Sequence, residues 1–402
     1  MSLLPVAQAQ AGLLALAPPL PPCSLPLTQA AGRYLAEPLL ALRDQPWADL
    51  SAMDGYAVRF GDMPGPWRLA GEMTAGAIPT AEPLTPGTAM RIFTGAPLPA
   101  EADTVIVQED IELRDGSVHL IGDGPGALGR HIRARSSDFA QADLLLAAGT
   151  RLDPPALALA ALAGHASLAV RPSPRVAILS TGSELVEPGA PCPPGSLPAS
   201  NGIMLRAMLE HAGASVISES LVPDDLPRLT DALGAIRGAD IIVTSGGASV
   251  GDHDLVRPAL EAAGGSINFW RIAMRPGKPL IVGRLGEAIL LGLPGNPISA
   301  MVTGALFLLP LVRHLAGSTA PLPQARTASL GSALPALRGE RAEYLRAQVT
   351  GNVATPLAFQ DSAAMRAAAQ ANALIIRTPG TPTAQAGDPV DILDWTALGL
   401  AH

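Results

Sequence analysis

Three consecutive stretches decide the fold: ADIIV at 239–243, TSGGASVGDHD at 244–254 and LVRPALEAAGG at 255–265. The first is a short, apolar, β-branched run of the kind that forms a buried strand, and the last has the composition of a helix. Between them lies a loop with Gly246 and Gly247, the small hydroxylated residues Thr244, Ser245 and Ser249, and the acids Asp252 and Asp254. A strand that feeds a helix is one unit of a parallel sheet. Open sheets of this kind bind ligands outside the carboxyl ends of their strands, where this loop falls.

The same alternation extends upstream. RVAILS, from 175, reads as a buried strand, and SNGIMLRAMLEHAGA, from 200, places Met204, Leu205, Met208, Leu209 and Ala212 on one helical face. Ser200 is a candidate cap there and Gly213 a stop. ASVISESLV gives another strand and LPRLTDALGAIRG another helix. Residues 175–320 therefore predict an α/β domain with a right-handed parallel sheet. Residues 49–140 carry short alternating runs such as YAVRF, RIFTG, TVIVQED and SVHLI, separated by glycine and proline, and predict a β-rich module. Residues 321–402 repeat that character in AEYLRAQV, ALIIRT and DPVDIL. DPPALALAALAGHASLAV, led by Pro154 and Pro155, is helical in composition. We group it with the N-terminal segment as one domain split in sequence, 1–48 plus 141–174. The expected fold is thus α/β and multidomain, with a doubly wound central sheet.

Composition narrows the function. A chain of 402 residues, 48% of them apolar, has ample core for about two to four domains. The net charge is −8 and no stretch concentrates lysine and arginine, which argues against nucleic acid as a partner. No lysine or arginine precedes Arg33, so the basic region of a secretory signal is missing. The longest apolar run, ISAMVTGALFLLPLV at 298–312, is shorter than a membrane span and contains a proline. Cys23 and Cys192 are the only cysteines, too few for a disulfide framework. Together these predict a soluble cytoplasmic protein.

Several motifs carry candidate chemistry, and each has a structural alternative. Thr181, Gly182, Ser183 and Glu184 follow the first strand of the sheet domain, Asp224 and Asp225 the second, and the glycine-rich loop the third. Glycines there let backbone N–H groups approach a phosphate, and carboxylates at the same rim suit a hard cation such as magnesium. Alternatively Gly246 and Gly247 form a tight turn, and either aspartate caps a helix. In GLPGNPISAM, Asn296 fits a helix cap and Pro297 the first helical position, which makes the helix start an anion site or merely a stop for the preceding strand. FWRIAMRPGKP sets Arg271, Arg275 and Lys278 within eight residues, matching a tetrahedral oxyanion or a basic surface hairpin. In the β module, Asp54 of SAMDGYAV and Thr94 of RIFTGAPLP are flanked by glycine and serve equally as turn formers. None of the seven histidines has metal-ligand spacing, and no Ser/His/Asp arrangement is visible.

In this order, SAMDGYAV, RIFTGAPLP, ILSTGSEL, SNGIMLRAMLEHAGA, TSGGASVGDHD, FWRIAMRPGKPL and GLPGNPISA resemble the molybdopterin molybdotransferases, MoeA in bacteria and the E domain of gephyrin in animals. The resemblance runs from about residue 28 to 377. It implies insertion of molybdate into adenylylated molybdopterin, with a magnesium ion and release of AMP. By the same resemblance, Asp54, Thr94, Glu184, Asp224 and Asp254 are catalytic, and the last three are metal ligands. Gly246, Gly247, Ser249, Arg271, Arg275, Lys278, Pro294, Asn296, Pro297, Arg346 and Ser362 are the substrate-binding set. It further implies an elongated homodimer whose cleft combines one subunit's sheet domain with the other's β module. Contacts with the adenylyltransferase, and with molybdoenzymes or their chaperones, are implied as well. Three departures stand out: arginines at 271 and 275 where relatives often have lysine, no glycine and glutamate before Asp138, and His253 in place of an aromatic. Two other functions stay open: a related adenylyltransferase that charges molybdopterin with ATP, whose family has a similar sheet domain, and a non-catalytic scaffold that binds cofactor or partner proteins.

Overall fold

A computed structural model of the chain describes residues 3–78, 82–247 and 255–401, without the side chains of Phe269 and Trp270. Helix α1 (Val6–Leu14) turns Ala9 and Leu13 into the core of the α/β domain. The sequence groups this segment with 141–174, whereas α1 itself packs on the α/β core and bonds to another helix there. Pro310 has no N–H to give Leu306, four residues earlier, and the Gln10 Nε2 donates to that carbonyl instead, at 2.8 Å. The chain then enters a small sheet-and-helix unit. Cys23–Pro26 pairs antiparallel with Ser167–Val170, and Leu39–Leu40 with Leu144–Leu146. Helix α2 (Pro154–Leu162) packs there over Leu35, Leu152 and Val170, and its start is capped by Asp153, which accepts from the Ala156 N–H at 2.9 Å.

The β module lies between those two halves. Its strands are β1 (Gly55–Val58), β2 (Trp67–Met73), β3 (Thr88–Ile92), β4 (Thr104–Val107), β5 (Ile111–Arg114) and β6 (Ser117–Leu120), in the order β4-β1-β3-β2-β6-β5. Alternate residues of one strand face opposite sides, so Tyr56 and Val58 join one core with Trp67 and Ile106, while Ala57 joins another with Met73 and Ile92.

The α/β domain runs β7 (Arg175–Thr181), α3 (Ser200–His211), β8 (Ser215–Val222), α4 (Leu226–Ala235), β9 (Ile241–Ser245), α5 (Val256–Ala262), β10 (Ser266–Arg271), β11 (Pro279–Leu285) and β12 (Ala288–Leu293). Its sheet order is β8-β7-β9-β12-β11-β10. The four strands β8, β7, β9 and β12 are parallel, but β11 is antiparallel to both of its neighbours. The expected parallel sheet is therefore mixed. The cause is local: Gly286, at φ +58°, turns the chain back between β11 and β12 as a hairpin. Helix α3 buries Leu205, Met208 and Leu209 on one face of the sheet, and α4 and α5 bury Leu229, Leu233 and Leu260 on the other. Ser200 is the first residue of α3 and not its cap; Ala199 holds that position, with no side-chain bond.

Helix α6 (Pro297–Thr303) continues through a π-helical segment, Gly304–Leu308, into α7 (Leu309–Leu315). The whole of Pro297–Leu315 is long and apolar enough to cross a membrane, yet 89% of that apolar window is buried inside the protein. It is the central core helix; the apolar run read at 298–312 lies inside it, and Pro310 does not interrupt it. The C-terminal strands β13 (Arg326–Leu330), β14 (Ala342–Thr350), β15 (Val353–Pro356), β16 (Ala373–Arg377) and β17 (Pro389–Asp394) run in the order β14-β15-β13-β17-β16 and close where β16 pairs with β14. Ala328, Ala347, Ala354 and Ala373 fill this narrow barrel. Met274 and Arg275 of the α/β domain add to it in parallel, opposite Ala342 and Glu343.

Candidate active site between the sheet edge and the barrel

A cleft of about 1000 Å³ opens at the carboxyl ends of β7, β9 and β12 and is closed on its far side by the C-terminal barrel. It gathers Glu184, Asp224, Gly246, Gly247, Arg275, Lys278, Pro294, Asn296, Pro297 and Ser362 from the sequence-derived set. Asp54, Thr94, Arg271 and Arg346 are not in its lining. Ser249 and Asp254 lie outside the described residues, as does His253.

Asp224 and Asp225 are adjacent in sequence and separate in role. Asp225 caps α4, accepting from the Arg228 N–H at 2.9 Å. Asp224 faces the cleft, where it accepts from Thr181 Oγ1 at 2.7 Å and from the Ser183 N–H at 3.3 Å. Its own N–H donates to Ser183 Oγ at 3.1 Å, so two strand-end loops are tied through one residue. Replacing Asp225 by alanine removes only the cap. It is expected to lower stability by about 1 kcal/mol in urea unfolding while leaving ligand binding in the cleft unchanged.

The paired glycines form the tight turn of the structural reading, and they do so at the cleft wall. Gly246 and Gly247 sit at φ +100° and +58°, and a Cβ on Gly246 would strike the Thr181 carbonyl oxygen. The tight turn is what brings this backbone to the cleft wall. Behind it, Asn201 Nδ2 donates to Ser245 Oγ at 2.8 Å and to the Gly295 carbonyl at 2.7 Å, while Asn201 Oδ1 is buried without a partner. Asn201 was passed over in the sequence because SNGIML was read only as a helix start.

The proline loop differs from its expected form. Asn296 occupies the cap position of α6, but its side chain makes no cap bond and donates to Ser362 Oγ at 3.1 Å. Pro297 has no N–H, and that of Ile298 is already given to the Ser362 carbonyl at 3.1 Å. The first two positions of the helix thus offer no free N–H to an anion, and the barrel seals them. Ser362 itself is placed by Arg346, which is 1% exposed and donates from Nη2 to the carbonyls of Phe359 and Asp361 at 3.1 and 3.0 Å.

The cations fall into two groups. Arg275 Nη1 lies 3.3 Å from Glu343 Oε1, and the other oxygen of Glu343 lies 3.2 Å from Arg377. Lys278 lines the cleft with no hydrogen-bond or ion-pair partner among the described residues. Arg271 is not part of the lining; its carbonyl accepts from the Leu4 N–H at 2.7 Å, and its Nε is buried without a partner among the described residues. Among the described residues no three His, Cys, Asp or Glu side chains converge as a metal site, and Glu184 and Asp224 are the carboxylates in the lining.

In the β module, Asp54 and Thr94 do come together. The Thr94 N–H and Oγ1 both donate to Asp54 Oδ1 at 2.7 Å. These two bonds, the backbone one first, hold the Asp54 carboxyl below its usual range. Arg91 beside it stacks 5.0 Å from the ring centres of both Tyr56 and Phe93.

A doubly wound sheet facing a barrel across an acid-rimmed, cation-walled cleft defines a multidomain α/β protein with a cleft of ligand size. Three family models tile the chain: MoeA N-terminal region (domain I and II) over 4–164, probable molybdopterin binding domain over 177–314, and MoeA C-terminal region (domain IV) over 327–395. The chain is 36% identical over 394 residues to molybdopterin molybdenumtransferase 2 of Mycobacterium tuberculosis, covering 93% of this chain and 95% of that one. It is 38% identical to the molybdopterin molybdenumtransferase of Haemophilus influenzae, covering 73% and 72%. Its fold matches a crystal structure of the molybdopterin biosynthesis MoeA protein from Pyrococcus horikoshii, with TM-score 0.83, 28% identity and coverage of 98% and 99%. The chain belongs to the MoeA family of molybdopterin molybdotransferases, and so to the transferases.

Proposed function

We propose that this protein inserts molybdate into adenylylated molybdopterin and releases AMP, the final step of molybdenum cofactor synthesis. One observation carries the reading. A single cleft holds two carboxylates, Glu184 and Asp224, and three cations, Arg275, Lys278 and Arg341, and among the described residues no ion pair joins the first group to the second. Such a site is left to be completed by a ligand that has both a metal-bridged phosphate and an oxyanion.

The donor set fits magnesium, a hard ion that usually takes one or two carboxylates and fills its shell with water and substrate phosphates. Glu184 and Asp224 would hold it, together with Asp254. When bound, the ion neutralises charge on the pyrophosphate. Gly246, whose own N–H is given to the Leu293 carbonyl, and Gly247 let the backbone approach the substrate closely, and Arg275 and Lys278 would hold the oxyanion beside it. Positioning then does much of the work, with no covalent step on the protein. Asp54 and Thr94 would complete the cleft from the second subunit of a homodimer, since one chain does not bring them to it. Two free cysteines agree with a reducing, cytoplasmic setting.

The test mixes purified protein, adenylylated molybdopterin, magnesium and molybdate, and measures AMP and mature cofactor. Release of both is expected to depend on molybdate and to be abolished by EDTA. Charging of molybdopterin with ATP would instead identify an adenylyltransferase, and tight binding with no product a scaffold.

A further inference from the structure

The loop that carries Arg275 and Lys278 is closed at its neck, where the Ile272 N–H donates to the Lys278 carbonyl at 2.9 Å. Its incoming arm continues β10, which is the edge strand of the α/β sheet, so the outer side of that arm has no sheet neighbour. Two distant pieces of the chain cover it in succession. Leu4 lies opposite Ile272 as a parallel bridge, and Ala342 of the barrel follows opposite Met274. The Leu4 N–H donates to the Arg271 carbonyl at 2.7 Å, and the Ala273 N–H donates to the Leu4 carbonyl at 2.8 Å. Ala273 then gives its own carbonyl to the Ala342 N–H, also at 2.8 Å. Ile272 and Ala273 are both buried, where a backbone group left unpaired is costly. Leu4 is held in turn by α1, which sinks Ala9 and Leu13 into the core and bonds through Gln10 to the Leu306 carbonyl.

We infer that Leu4 is a positioning residue for the reaction: its backbone clamps the neck of the cation-bearing loop, although the residue itself is not part of the cleft lining. The barrel secures the loop only from Ala273 onward. Without Leu4 the Arg271 carbonyl and the Ala273 N–H lose their partners, and the arm has to shift to find others. Arg275 and Lys278 move with it, and a small displacement of groups that hold a ligand is enough to weaken their grip. The inference rests on these two cations meeting the oxyanion, as proposed above.

Three full-length variants would be compared with wild type. Leu4→Pro removes the N–H donated to the Arg271 carbonyl, Leu4→Val keeps both backbone bonds, and Gln10→Ala loosens the same segment at the Leu306 carbonyl, away from the loop. Hydrogen exchange at the Ile272 amide reads the neck directly, because that N–H bonds to Lys278 and not to Leu4. Molybdate titration, with KM and kcat for cofactor formation, reads the consequence. Leu4→Pro is expected to speed exchange at Ile272 about 10-fold or more and to raise Kd and KM for molybdate about 10-fold, with kcat within about 3-fold of wild type. Leu4→Val should match wild type, and Gln10→Ala should lower the melting temperature while leaving Ile272 exchange and molybdate affinity unchanged. A protected Ile272 amide or an unchanged molybdate affinity in Leu4→Pro would overturn the inference. Equal losses in Gln10→Ala would overturn it too, by making the effect one of general stability. A loosened loop and weaker molybdate binding in a protein that forms no cofactor would count against the proposed reaction and leave the clamp standing.

Discussion

Asp224→Asn is expected to fold normally and lose turnover by about 100-fold or more, the scale on which metal-site polar groups act. The substitution keeps the shape and one acceptor for Thr181 Oγ1, so the two loops stay tied. What it removes is negative charge at the rim, where the proposed ion would sit. Stability should change by less than about 1 kcal/mol in urea unfolding, since the altered contact is a long 3.3 Å bond to the Ser183 N–H. The check is AMP release at saturating molybdate over a range of magnesium concentrations. An undiminished rate would remove Asp224 from the proposed site. The neighbouring Asp225→Ala gives the opposite pattern, a loss of stability with the cleft unaffected, so the pair tests the assignment within two residues.

Arg346→Ala carries the second large effect, and it appears first as instability. The side chain is 1% exposed, and its loss leaves the carbonyls of Phe359 and Asp361 without their donor in a buried place. About 3 kcal/mol of destabilisation follows from unpaired buried acceptors together with the vacated volume. The 359–362 loop should loosen with it. Ser362 then no longer holds Asn296 or the Ile298 N–H, and the proline loop loses its seal. Denaturant unfolding reads the first effect, and hydrogen exchange at Ile298 reads the second. A variant with native stability and a protected Ile298 amide would refute the positioning role.

How much of this was legible in the sequence depended on the range of the interaction. The alternation of strands and helices over 175–262 was visible because each element carries its own period, as α3 shows with Leu205, Met208 and Leu209. The glycine loop was visible because a positive φ has a residue signature. The β11–β12 hairpin was missed although Gly286 marks it, because two apolar runs flanking a glycine read equally as parallel core strands. Closure of the C-terminal barrel had no local signal at all; it depends on β16 finding β14, as Ala373 opposite Ala347 shows. Arg341 and Arg346 sit five positions apart in one stretch, and nothing in RAEYLR separates a cation at the cleft from one sealed inside the barrel. Residue type alone does not separate Asp224 from Asp225, and only the resemblance picks the first; the placement of Arg228 and Thr181 shows their different contacts.

Met274 and Arg275 belong at once to the loop that carries the cations and to the edge of the barrel. In mechanical language the two bodies are connected in series through the wall that faces the ligand. A displacement of the barrel is delivered first to Arg275 and Lys278, ahead of the carboxylate rim on the other side. The width of the cation-lined half of the cleft therefore depends on the barrel's seat, and that of the acidic half on the sheet's own loops.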